Sequence, residues 1–290
     1  MKGTITRRDF MKGSAYVALG AAAGFPLQSQ KETRVVLIRN EHVWNGETEL
    51  DGDIIQRMLD QAVTTLLGTD TPQAAFRTIL KPEDTVGIKT NVWNFLPTPK
   101  ELESAIKRRV LDAGVREDRI GIADRGLLNN PLFTGATALI NVRPMRTHYW
   151  SGVGGCLKNL ITFTPRPDDY HNDSCADMAL FWKLPVTNGK TRLNILSMLN
   201  PLFHGRGPHH FDRRYIWKYN GIIAGIDPVA VDTVGLEIIN AKRLEFFGRR
   251  REFQTSPKHI MMADVRHGLG TSDLNKIELI KLGWNKDILI

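Results

Sequence analysis

The chain has 290 residues, 42% of them apolar and 24% charged, a balance that fits a globular protein and excludes low-complexity and collagen-like chains. Its two cysteines, with no C-x-x-C, exclude an iron–sulfur cluster held by this chain alone. The formal net charge of +8 is scattered, with no basic stripe interleaved with stacking aromatics, so no nucleic-acid partner is expected.

Residues 1–30 read as a twin-arginine signal peptide, and residues 31–290 as a single α/β domain. Thr6-Arg7-Arg8-Asp9-Phe10-Met11-Lys12 carries the paired arginines, and an apolar run from Gly13 to Phe25 follows, broken only by Ser14. The run is short for a mature spanning helix. Ala21-Ala22-Ala23 offers a small-residue cleavage site, although an uncleaved anchor would carry the same residues. The pattern predicts the twin-arginine translocase as a partner and a periplasmic or other extracytoplasmic location. That route exports folded proteins, often with a cofactor already inserted, which favours a bound cofactor whose kind the sequence leaves open. Of the formal +8, the leader carries +3 (Lys2, Arg7, Arg8 and Lys12 against Asp9), so +5 remains.

Arg34 to Arg39 reads as a first strand, apolar on both faces and hence central in a sheet. Asp53 is placed to cap a helix with an apolar stripe from Ile54 to Leu67, ended by Gly68. Pro72 to Leu80 predicts a second helix. Asp84 to Lys89 reads as the second strand, which delivers Lys89 and Asn91 at its carboxyl end. Thr98-Pro99-Lys100-Glu101 is a helix start, with Thr98 as the cap. Arg119 to Ala123 predicts a third strand with Asp124 just beyond it, as a site residue or as a cap of the next turn. Strand, helix, strand makes a parallel βαβ unit. The class expected is three-layer α/β, a mostly parallel sheet flanked by helices.

Thr137 to Val142 reads as a buried strand stopped by Pro144, which lacks a ladder N–H. The following stretch places the cations Arg146 and Lys158 and the imidazole of His148 around Gly152, Gly154 and Gly155. Glycine admits close backbone approach, and cations beside such a loop suit an anion. Ligands in open α/β sheets sit beyond the carboxyl ends of strands. A small anionic ligand is therefore the partner expected, and a glycine turn with solvated basic residues is the plain alternative.

Thr164 to Lys190 is irregular, with a helical segment at Asp177 to Leu184, and Arg192 to Leu199 is another apolar strand. His204, His209 and His210 invite a metal reading, but His209 and His210 point to opposite faces of a strand, and a surface glycine–proline loop explains them as well. Which metal, if any, is unknown; His148 with one of these would be the first pair to consider. Asn220 to Ile226 predicts a strand. Asp227 caps a helix with Pro228 at its first position, running through Ala241. Asp232 lies inside that helix among apolar neighbours and needs a partner, for which Lys89 and Lys158 are candidates. Further helices are expected over Leu244 to Phe253 and from Ser256 to Val265, with a final edge strand over Ile277 to Leu282. Cys156 and Cys175 either pair in an oxidising compartment or stay as buried thiols.

The blocks Val86-Gly87-Ile88-Lys89-Thr90-Asn91, Ile140-Asn141-Val142 through His148, Leu157-Lys158-Asn159, Gly207-Pro208 and Gly225-Ile226-Asp227-Pro228-Val229-Ala230-Val231-Asp232 resemble domain-of-unknown-function family 362, and its twin-arginine-exported members in particular. The resemblance implies a three-layer α/β domain without the ferredoxin-like extension of some relatives. It carries family positions onto Lys89, Asn91, His148, Lys158, Asn159, Gly207, Pro208, Asp227 and Asp232. Arg146 stands where lysine is usual, and a planar guanidinium forks onto an oxyanion. The strand Leu193 to Leu199 lacks the acidic residue expected near its end, leaving Asn194, Ser197 and Asn200.

The function expected is an exported protein that binds an anionic substrate or cofactor, and a redox-linked enzyme with an external redox partner is one form it would take. In that reading Lys89, Lys158, His148 and Asp232 form the catalytic set, with His148 as general acid or base. Asn91, Arg146, Gly154, Gly155, Asn159, Gly207 and Asp227 would bind the cofactor or substrate. A non-catalytic ligand-binding or maturation protein, or an accessory subunit of a membrane redox complex, is the alternative.

Overall fold

The structure, a computed structural model, describes residues 33–207 and 211–290. The leader and the histidine pair His209–His210 lie outside the described residues.

Alternating apolar residues build both faces of one sheet. Along β1 (Thr33–Arg39), Val35 and Leu37 face one side while Val36 and Ile38 face the other, and all four are buried. Two short strands follow, β2 (Trp44–Asn45) and β3 (Glu49–Leu50), which pair with each other. Helices α1 (Gly52–Leu67) and α2 (Pro72–Ile79) lead to β4 (Val86–Lys89). Helix α3 (Lys100–Asp112) then leads to β5 (Ile120–Ala123). A one-turn helix, α4 (Pro131–Thr134), precedes β6 (Ala138–His148), which turns into β7 (Gly152–Gly154) and the short helix α5 (Cys156–Asn159). After a run of 3-10 turns come β8 (Thr191–Leu202), β9 (Gly221–Gly225), α6 (Pro228–Phe247), α7 (His259–Val265) and β10 (Ile277–Gly283).

The sheet order is β10-β1-β9-β8-β6-β4-β5, with β7 paired to the end of β6. Parallel pairs join β10 to β1, β8 to β6, β6 to β4 and β4 to β5, whereas β9 runs antiparallel to both neighbours. One apolar cluster fills the face covered by α1, α2 and α3. A second fills the face covered by α5, α6, α7 and the 3-10 segments. Helices on both faces of a mostly parallel sheet make the three-layer α/β fold, as the pattern of elements predicts.

Local differences from the sequence reading have physical causes. Asp51, not Asp53, caps α1, its side chain accepting from the Ile54 N–H. Thr98 does not cap α3; its hydroxyl accepts from Asn91 N–H and reaches the Val142 carbonyl, so it ties the β4 and β6 ends together. Strand β6 runs straight through Pro144 to His148. Pairing with β4 ends at Asn141, pairing with β7 begins at Arg146, and the register against β8 shifts just after Pro144. The missing N–H therefore falls in a gap of the ladder. Helix α6 continues to Phe247, where Gly248 caps it in the left-handed region, so residues 244–247 extend that helix rather than form a new one.

Helix α6 crosses the sheet closely because Gly235 has no side chain. A Cβ built there would lie 2.5 Å from Leu196 Cδ2 and 3.5 Å from Met145 Cε. Gly235→Val is expected to destabilise the protein by about 1–3 kcal/mol through overpacking, read as a lower urea midpoint with an unchanged m-value.

Candidate functional site

Strands β4, β5 and β6 are parallel, so their carboxyl ends gather on one edge, where polar residues are buried. Lys89, at the end of β4, is fully buried. Its Nζ donates to Asp124 Oδ1 at 2.5 Å and to the Thr90 carbonyl at 2.7 Å, with Asn159 Oδ1 at 3.4 Å. Burial pulls the Lys89 ammonium down to about 8, opposed by Asp124. Asp124 also accepts from Val92 N–H at 3.0 Å. Burial alone would raise this carboxylate, but Lys89 and that N–H hold it below its ordinary value.

Asn159 extends the network. Its Nδ2 donates to the Lys89 carbonyl (3.1 Å), Asn141 Oδ1 (2.8 Å) and the Val142 carbonyl (3.2 Å). Asn141 donates in turn to the Cys156 carbonyl and to Asn194 Oδ1, both at 3.0 Å, and Asn194 donates to the Ile226 carbonyl at 2.9 Å. Asn194, on the strand that lacks an acid, is thus a link in a neutral amide chain.

Asp232 finds its partners in backbone. Its Oδ1 accepts from Cys156 N–H at 2.6 Å and its Oδ2 from Leu157 N–H at 2.9 Å, so neither Lys89 nor Lys158 pairs with it. Burial pushes this carboxyl up to about 7, against the pull of the two N–H groups and of Arg143. The expected cofactor-binding glycines serve the same packing. A Cβ on Gly155 would lie 2.2 Å from Asp232 Oδ1, and one on Gly154 would lie 2.9 Å from Arg143 Nη2. Gly207, with φ +64°, lies where a Cβ would meet the Thr147 carbonyl at 2.4 Å. Asp227 caps α6 through Val229 and Ala230 N–H and accepts from Thr271 N–H at 2.8 Å, so its oxygens tie the helix start to a turn. Burial raises its pKa.

What remains is a group of cations without a salt-bridge partner, with Asp124 and Asp232 near but bonded elsewhere. Arg143, Arg146 and Lys158 are 2%, 4% and 5% exposed, and none forms a salt bridge among the described residues. The Nε atoms of Arg143 and Arg146 and the Nζ of Lys158 are buried with no hydrogen-bond partner there. Arg146 spends Nη1 on Asn91 Oδ1 (3.0 Å) and the Leu96 carbonyl (3.4 Å), and its guanidinium lies 4.5 Å from the Trp93 ring centre. Asn91 therefore orients Arg146. Burial and the neighbouring arginines pull Lys158 down to about 8, with Cys175 acting in the opposite sense. Burial also lowers Arg143, and burial with the Arg143 charge lowers Arg146.

His148 borders this group. Its Nδ1 accepts from Trp150 N–H at 3.2 Å, which leaves Nε2 to carry the proton of the neutral ring. Burial, then Lys158, Arg143 and Arg146, hold it well below the ordinary histidine range. The ring is therefore neutral near pH 7, with Nδ1 accepting and Nε2 free to donate. His259, fully buried, is pushed down to about 3 by burial and by the charges of Lys158 and Arg143.

Cys156 and Cys175 are free, buried thiols, and burial raises both. His204, the described member of the histidine triplet, is held by Arg243 at 2.9 Å from Nδ1 and pushed down to about 4, first by burial. Among the described residues no three His, Cys, Asp or Glu side chains converge to suit a metal ion.

The structure places Arg146, His148 and Lys158 near one another and adds Arg143, which the sequence analysis does not single out. Its signal in the sequence is an arginine next to an apolar strand run, masked by the adjacent Pro144, which ordinarily ends a strand. Lys89, Asn159 and Asp232 belong to the frame that holds the cations rather than to the unpaired set.

The fold and this edge define the class: a three-layer α/β domain with a buried, unpaired cation cluster at the carboxyl ends of its parallel strands. The family described as a domain of unknown function (DUF362) matches residues 128–237, the stretch that carries Arg143, Arg146, His148, Lys158 and Asp232, and the match supports that family. No curated protein and no solved structure matches the chain.

The two lowered lysines should respond oppositely to truncation. Lys89→Met strands Asp124 in the interior and is expected to cost about 3–5 kcal/mol. Lys158→Met removes a buried cation that has no partner and is expected to leave stability unchanged or raised. Urea denaturation of both variants in anion-free buffer checks the contrast.

Proposed function

We propose that this protein binds a small oxyanion, as substrate or as part of a cofactor, against Arg143, Arg146 and Lys158. One observation carries the reading: three nearly buried cations leave donor atoms unsatisfied, and the two nearby carboxylates are already committed, Asp124 to Lys89 and Asp232 to backbone N–H groups. An unpaired buried charge costs several kcal/mol, and an anion supplies the missing partner. Two guanidinium groups give planar donor pairs for an oxyanion, and Lys158 adds a point charge. His148 Nε2–H is a further, neutral donor.

A second reading makes the protein a redox-linked enzyme with an external redox partner. It is favoured by Lys158, whose pKa of about 8 keeps part of it ready to take up a proton near neutral pH. Both readings share the anion, and both accommodate export. The Arg7-Arg8 leader supports a twin-arginine route and a periplasmic or extracytoplasmic location.

Anion binding should weaken with alkali. Lys158 is charged below about 8 and neutral above it, so the site loses a positive charge as pH rises through that value. Sulfate, which stays a dianion throughout, should therefore bind tightest near pH 7 and lose affinity toward pH 9.5, by up to about tenfold per pH unit. Calorimetry on the wild type and on Lys158→Met, where the slope should shrink, tests this. A flat wild-type profile, or no sulfate binding at all, would remove the reading.

The export reading has its own test. Residues 1–30 fused to a reporter that is active only after export should deliver it, and the pair Arg7→Lys with Arg8→Lys should stop delivery. Unimpaired export by the lysine pair would count against the twin-arginine route.

A further inference from the structure

A second group of cations lies on the far side of His148. The turn between β6 and β7, the segment at His204 to Arg206 and residues 251–255 enclose a cavity of about 330 Å³, and His148 and Gly152 form part of its wall. That volume lies at the small end of the range for small-molecule sites. Three arginines line it: Arg206, Arg243 and Arg251. Arg243 is 3% exposed, and its guanidinium donates to the carbonyls of Phe203, Arg251 and Glu252 and meets His204 Nδ1, so its hydrogen-bond partners are neutral groups. Arg206 donates to Gln254 Oε1 at 2.6 Å and lies 5.4 Å from the centre of the Tyr149 ring. Arg251 rests on Phe247 at 4.8 Å. The one carboxylate on the wall, Glu252, pairs with Arg250 at 3.4 Å. None of the three lining arginines pairs with a carboxylate among the described residues.

The ladder connects the two cation groups. His148 pairs with Gly152 and Arg146 pairs with Gly154, so the cavity wall and the buried cluster lie on one hairpin, two rungs apart with the Thr147–Val153 pair between them. Two residues along a strand span about 7 Å. His148, neutral and still carrying a ring proton, stands between the two groups without adding a charge of its own.

Resting on the anion reading above, we infer that the ligand carries two oxyanion groups on a short spacer. One is held by Arg143, Arg146 and Lys158, and the other by Arg206 and Arg251 in the cavity beside His148. Arg243 is already engaged by carbonyls and acts as a fixed source of positive potential behind the second end. Arg206 and Arg251 then set specificity by length: a monoanion meets only one end, and a dianion of the right span meets both.

Linear dicarboxylates from malonate to azelate, with acetate and sulfate as single-ended probes, test this by calorimetry on the full chain at pH 7. Affinity is expected to pass through a maximum at an intermediate length, about tenfold or more above acetate, as expected when a second contact becomes intramolecular. In Arg206→Ala/Arg251→Ala, two side chains outside the apolar cores, the ratio of best dicarboxylate to acetate should collapse toward one. Affinity independent of length, or a length optimum that survives in the double variant, would overturn the two-ended ligand while leaving a one-ended site standing. Failure of every probe, sulfate included, would overturn the anion reading itself, so the two failures are separable.

Discussion

The side chain of Asp232, inside α6, reaches across to the N–H groups of Cys156 and Leu157 and fixes the start of α5 against the helix layer. From the other side, Asn159 and Asn141 fix α5 to β4, β6 and β8. The short helix, whose Cys156 and Leu157 also pack in the apolar core, is thus clamped between sheet and helix by a set of polar bonds. Every group in the clamp is buried, so each missing bond would cost the desolvation of its partner. The clamp demands glycine at position 155, because any Cβ there would collide with the carboxylate. It also sets where Lys158 can be: one residue before Asn159, with its Nζ carried into the interior and left unpartnered.

Two kinds of buried cation follow from this frame, and their chemistry differs. Lys89 has a carboxylate, a carbonyl and an amide oxygen around it, and its charge completes a closed network. Lys158 has a similar pKa of about 8 yet none of those partners. A depressed lysine pKa alone does not separate a structural ion pair from an open binding position. The inventory of hydrogen bonds does, because a closed network has no capacity left for a ligand and an open one has.

Much of the fold was legible in the sequence because period-2 apolar runs and helix caps are local signals. Strand β10 at the sheet edge, the helix started by Asp227-Pro228 and the parallel β4–β5 unit all come from such signals. Antiparallel β9 was not legible, since strand direction is set by where the chain returns rather than by residues 221–225 themselves. The site was legible as a set of residue types but not as a division of labour. Asp232 inside a helix was seen to need partners, yet nothing in the chain says that two backbone N–H groups would supply them. Gly154 and Gly155 read as room for a ligand, and the room is taken by Arg143 and Asp232. Arg143 was missed because proline stops most ladders, and the gap between β4 and β7 that tolerates Pro144 exists only in three dimensions.

The sheet also imposes an order in time. Strand β1 pairs with no strand near it in sequence: Val35 lies opposite Gly225 on one side and Leu279 on the other. Its ends are finished by equally remote residues, with the Arg39 side chain donating to the Tyr219 carbonyl and the Arg39 carbonyl accepting from Trp284 N–H. During synthesis, β1 therefore waits on the order of ten seconds or more for its first neighbouring strand, at about 5–20 residues per second, with both its edges unpaired. The fold thus keeps its own time, because the sheet can close around β1 only after β9 and β10 have arrived.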